Sequence, residues 1–134
     1  MKWLLRFIGT VLAIMLVGAS ILRSEGWFPT EIWLAQEWLG GDKATHAWGG
    51  AIMMLALGAW SCAWRSYKRL AIHMAIVLLG VFMEECSQQF LSRRQFSMID
   101  YAYSAAGVFG MALLFAWFRT IRTTIAQRRL HYKP

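Results

Sequence analysis

Apolar residues gather in four long blocks along the chain, separated by shorter polar or charged links. The blocks run from about Trp3 to Leu22, Ala44 to Trp64, Leu70 to Leu91 and Phe96 to Phe118. Each is close to the roughly 20 residues with which a helix crosses the hydrocarbon core of a bilayer. Inside that core the backbone has no water to bond to, so such a block satisfies itself as a helix. The pattern predicts an all-α chain: a single domain, residues 1–134, built as a four-helix transmembrane bundle. One connection is long enough to hold more. Pro29 and Thr30 suit a helix start, Glu31 its first turn, and Gly40-Gly41 its end. With Ile32, Trp33, Ala35, Trp38 and Leu39 on its apolar side, this segment is expected to form a short interfacial helix on the outer surface. Small residues recur at every fourth position at Ala102, Ala106 and Gly110, and Gly50 and Gly58 flank Met54. Both rows are expected faces of close helix packing.

Composition strengthens the membrane reading. Hydrophobic residues make up 58% and charged residues 16% of the chain, against about 45–50% and about 25% in soluble domains. A soluble fold of 134 residues cannot hide that much apolar surface in its own core, whereas lipid can cover it. The same composition excludes disorder, and two cysteines exclude a disulfide scaffold. Cys62 and Cys86, each late in successive blocks that cross in opposite directions, fall at opposite membrane faces and are not expected to pair.

The net charge of +7 would suit nucleic acid if the charges were spread over one surface. They are not. Lys2 and Arg6 open the first block, Arg65, Lys68 and Arg69 join the second to the third, and Arg119, Arg122, Arg128, Arg129 and Lys133 follow the fourth. All of these fall on one side, the cytoplasmic one by the positive-inside rule. All seven acidic residues, Glu25, Glu31, Glu37, Asp42, Glu84, Glu85 and Asp100, fall toward the other. Both termini are then cytoplasmic, with a basic tail at 119–134, and the charge answers to topology and anionic lipid rather than nucleic acid. Trp3, Trp60, Trp64 and Trp117 mark the inner interface, and Trp27 and Trp48 the outer one. Met1–Ser20 also has the outline of a signal peptide, ending in Gly18, Ala19 and Ser20, but its apolar run is longer than usual for one.

Several polar residues interrupt the apolar blocks. Asp42, Lys43 and His46 open the second, at i,i+4 and i,i+3 spacings that share a helix face. Glu84, Glu85 and Gln88 lie late in the third, and Arg93, Arg94, Asp100 and Ser104 follow. From Leu70 to Glu84 the helix rises about 21 Å, which puts Glu84 roughly 9 Å inside a core of about 30 Å. A charge near mid-bilayer costs about 2.5–3.5 kcal/mol, so a cluster of them needs a reason. One reason is a structural ion-pair network, with Lys43 and Arg94 neutralising Glu84 and Asp100. The other is a working polar site. His73 and His131 stand apart from the cluster.

Read in order, these residues resemble the VanZ-like family of small bacterial membrane proteins. The resemblance rests on Asp42-Lys43-Ala44-Thr45-His46, Glu84-Glu85-Cys86-Ser87-Gln88, Arg94, Asp100 and Gly107. It covers about Asp42 to Gly110, and Ser104 stands where the family usually has Asn. It implies a multi-pass protein of the bacterial cytoplasmic membrane with a role in the cell envelope, where founding members are associated with resistance to teicoplanin. A rival pattern, the Glu-Glu-x-x-x-Arg of intramembrane CAAX-type proteases, fails because Gln89 stands in place of the Arg and the later His motifs are missing.

Two functions follow as expectations. The first is a site open to the outer leaflet that binds or modifies an envelope lipid or a lipid-linked phosphate. There Glu84 or Glu85 would be the base, His46 an acid or second base oriented by Asp42, and Lys43, Gln88, Arg94, Asp100 and Ser104 would bind substrate. The second is non-enzymatic: the cluster is structural, or binds an antibiotic or a partner helix. Membrane lipids are the expected partners. No cofactor is implied. Asp42, His46, Glu84 and Asp100 are suitable oxygen and nitrogen ligands for a metal, but none is assigned, because no tight ligand spacing marks a site along the chain. Substrate, reaction and oligomeric state are left open.

Overall fold

The computed structural model describes residues 2–90 and 95–131, and among the described residues there are helices and no strand. The helices are α1 (Lys2–Glu25), α2 (Pro29–Trp38), α3 (Asp42–Ser61), α4 (Tyr67–Ser87) and α5 (Met98–His131), with 3-10 turns at Ala63–Arg65 and Gln88–Phe90. The expected short helix in the long connection is present as α2, with Pro in its first turn. It ends on glycine for a physical reason. Gly41 N–H donates to the Gln36 carbonyl at 2.7 Å and Gly40 N–H to that of Glu37 at 3.1 Å. This bond pair closes a Schellman turn. Gly40 and Gly41 have φ of 97° and 93°, where a side chain would be strained. Gly41 then hands the chain directly to Asp42, the first residue of α3.

Contacts along the helices fix their directions. Gly9 of α1 lies against Ala56 of α3, and Arg6 against Trp60, so α1 and α3 are antiparallel. Gly50 and Gly58 of α3 lie against Ser104 and Phe115 of α5, so those two helices run parallel. The start of α4 meets the far part of α5, Tyr67 Oη lying 3.2 Å from Thr120 Oγ1, so α4 is antiparallel to α5. Helix α3 touches α1, α4 and α5. A small core of Met54, Ala63, Leu70, Val77, Val108 and Ala112 lies between α3, α4 and α5.

One packing face departs from expectation. Gly50, Met54 and Gly58 are buried as predicted, but Ala102, Ala106 and Gly110 are exposed. The buried row on α5 is Ser104, Val108 and Ala112, two residues out of register. Two residues is about 200° around a helix, which turns the predicted row to the outside. The close contact is made elsewhere, by Gly107: a Cβ there would stand 1.8 Å from the Ala47 carbonyl oxygen.

Most large apolar side chains point outward. Two of the four predicted spans, within Tyr67–Phe90 and Met98–Arg128, are long and apolar enough to cross a membrane, and only 17% of each such stretch is buried. The central helix of a soluble protein would be mostly covered. In α1 the apolar stretch is shorter, Arg6–Leu22. In α3 the polar Asp42, Lys43, Thr45 and His46 and the small packing residues dilute the apolar content. Helix α5 does not stop near Phe118 as expected; its 34 residues rise about 51 Å and carry the basic tail as helix to His131. No proline or glycine falls between Phe118 and His131, and Pro134 is the first helix breaker after them.

Arg6 and Arg119 both lie at one end of the bundle. Arg6 Nε donates to the Trp60 carbonyl at 3.1 Å, and the guanidinium lies 5.6 Å from the Trp60 ring. Arg119 donates to the carbonyls of Trp64 and Arg65 and lies 4.7 Å from the Tyr67 ring. The carbonyls left over where α3 ends are thus met by cations, which also suit the negative end of the helix dipole.

Candidate functional site

At the opposite end, the starts of α3 and α5 lie side by side and the end of α4 meets them. Asp42, Lys43 and His46 sit on the first turns of α3, and Asp100 on the first turn of α5. The Lys43 ammonium is shared: it donates to Asp100 across the helix interface and to Asp42 Oδ2 at 3.3 Å. Gln36 of α2 donates to Asp42 Oδ1 at 3.3 Å. His46 Nε2 lies 3.9 Å from Asp42 Oδ1 and 3.7 Å from Asp100 Oδ2. Asp42 therefore does not orient His46 through a direct hydrogen bond, because 3.9 Å is too long for one.

The glutamates of α4 form a second group. Glu85 is 1% exposed and Gln88 3%. Gln88 Nε2 donates to Glu84 Oε1 at 3.0 Å and to Glu85 Oε2 at 3.2 Å. Glu84 is exposed, and its Oε1 also accepts from Ser20 Oγ of α1 at 3.1 Å. Glu85 Oε1 accepts the backbone N–H of Ser97 at 2.9 Å.

Ser97 joins the two groups. It is the N-cap of α5, and its Oγ accepts the Asp100 N–H at 3.2 Å. In a full capping box, the acidic residue at the third helical position reaches back to the N-cap N–H. Here Glu85 has taken that N–H, so the Asp100 carboxylate is directed at Lys43 and His46 instead. Phe82 packs edge-on to Phe96 and Tyr101 beside this junction, with ring centroids 6.5 Å and 5.4 Å away.

The expected site residues therefore divide. Asp42, Lys43, His46 and Asp100 come together, as do Glu84, Glu85 and Gln88. Ser104 is 4% exposed, one turn beyond Asp100, where its carbonyl oxygen would be 2.0 Å from a Cβ on Gly50. It belongs to the helix crossing. Arg94 and the neighbouring Arg93 lie outside the described residues. Three residues in the network were missed in the sequence. Ser97 had a readable signal, the Ser-x-x-Asp spacing ahead of an apolar run. Ser20 and Gln36 had none, because each acts on a residue of another helix.

Compared with family models, with curated proteins and with solved structures, the chain has no match in any of the three.

Proposed function

We propose that the protein is a four-span membrane protein of the VanZ-like type, and that its polar end faces the outer leaflet and binds or acts on an envelope lipid or a lipid-linked phosphate. The observation that carries this reading is the separation of the two ends. Arg6 and Arg119 gather at one end. Asp42, Lys43, His46, Glu84, Glu85 and Asp100 converge at the other, although they come from three helices. The mostly exposed apolar flanks of α4 and α5 support a lipid environment between those ends. In a bacterial cytoplasmic membrane the positive-inside rule then puts both termini in the cytoplasm and lays α2 on the outer surface.

Within the site, Glu84 is the better base. It is exposed, whereas Glu85 is buried and committed to the α5 N-terminus. The Lys43 ammonium is already shared by two carboxylates, and Arg94, which the sequence assigns to an anionic head group, lies outside the described residues. A second reading, a structural lock, is favoured for Glu85 and Lys43 by those same bonds.

The test compares Glu84→Gln and Arg94→Gln with the parent protein for teicoplanin susceptibility in cells and for thermal stability in detergent. A lost phenotype with unchanged melting supports a working site. An intact phenotype with lowered melting leaves only the lock.

A further inference from the structure

Two carboxylates and an imidazole meet where α3 and α5 start. Asp42, His46 and Asp100 each offer one donor atom, and the three atoms lie within 4.8 Å of one another. The His46 side chain is 11% exposed, and its Nε2 stands 3.9 Å and 3.7 Å from the two aspartates. These gaps are too long for N–H···O bonds. The two gaps to His46 lie a few tenths of an ångström beyond the spacing of about 3.0–3.5 Å between two donors that bind one ion at about 2.0–2.2 Å. The two carboxylates, up to 4.8 Å apart, must close further when the ion enters. The charges favour a cation as well, since two carboxylates face one ammonium.

We infer that Asp42, His46 and Asp100 form a binding site for one divalent transition-metal cation of the Zn2+ or Mn2+ kind. One imidazole nitrogen with two carboxylate oxygens is a donor set that suits either ion. Lys43 is the built-in competitor: its ammonium reaches both aspartates, and at 43% exposure it has room to swing out when the ion enters. The ligands are held from behind. Gln36 bonds Asp42, and the Ser97 cap with Glu85 fixes the first turn that carries Asp100. Three protein donors leave coordination positions open on the Asp42 side, which is 41% exposed, for water or a phosphate oxygen. Such an ion would balance the two carboxylates, which a single ammonium leaves with excess negative charge. The inference does not depend on the lipid reading, because ion binding is measured on the protein alone.

The experiment titrates the purified full chain in detergent with Zn2+ and, separately, Mn2+, following bound metal by equilibrium dialysis and the melting transition in parallel. The expected result is one ion bound per chain and a raised melting temperature. Asp100→Asn and His46→Gln should each lose this binding, and Lys43→Met should tighten it about tenfold by removing a like charge a few ångströms away. His46→Gln keeps the charge balance and serves if Asp100→Asn fails to fold. No stoichiometric binding by the folded parent and Lys43→Met proteins overturns the inference. So does binding that His46→Gln leaves unchanged.

Discussion

Glu85 and Ser97, twelve residues apart, are joined by a 2.9 Å hydrogen bond in which a buried carboxylate accepts the backbone N–H of the residue that caps α5. The bond closes the link between α4 and α5 and decides where Asp100 points. It also gives the second glutamate of the Glu84-Glu85 pair a role that the sequence did not separate from the first.

Removing that carboxylate should cost stability. Glu85→Ala strands the Ser97 N–H and one Gln88 donor, so a loss of about 1–3 kcal/mol is expected in detergent melting. Glu85→Gln keeps an acceptor for Ser97 and should lose less. Ser97→Ala removes the cap and should cost about 1 kcal/mol. If Glu85→Ala melted like the parent protein, Glu85 would not be the clamp described above.

Gly107 and Gly110 should behave oppositely although they are one turn apart. A Cβ on Gly107 would meet the Ala47 carbonyl oxygen at 1.8 Å, while one on Gly110 meets nothing within 4 Å. Gly107→Ala should force α3 and α5 apart at a cost of about 1–3 kcal/mol. Gly110→Ala should be neutral, or stabilise by up to about 1 kcal/mol through helix propensity. Equal melting temperatures for the two variants would contradict the α3–α5 contact.

Topology follows from the charge separation. Reporter fusions at Tyr67 and His131 should read as cytoplasmic, and a fusion at Glu37 as external. An external signal at Tyr67 would reverse the bundle and turn the acidic end inward.

Thiol chemistry offers a check on the fold. Both cysteines are free; Cys62 is buried at the end of α3, and Cys86 is partly exposed at the end of α4. Cys86 should react with a small maleimide in the native detergent-solubilised protein, and Cys62 only after denaturation. Mass mapping of the labelled peptides distinguishes the two sites. Faster native labelling of Cys62 would mean that the turn after α3 is misplaced.

Some of this was written along the chain. Apolar blocks fixed an all-helical fold, because unbroken runs such as Met74–Met83 leave the backbone no better way to satisfy itself. Pro29 and Gly40-Gly41 announced α2, since their restricted or permissive φ acts locally. The positions of acidic and basic residues announced two unlike ends. Other features were decided only by packing. The rotation of α5, which buries Ser104 and Val108 and turns Ala106 out, is an angular choice made by contact with α3, and small residues stood on both candidate faces. The Glu84-Glu85 pair reads as two equal carboxylates until α5 supplies an amide to one of them and Ser20 a hydroxyl to the other. Asp42 and His46 carried a helical spacing of four, but Asp100 lies more than fifty residues further on. Only the parallel docking of α3 on α5, permitted by glycine at positions 50 and 107, brings its carboxylate to the same imidazole.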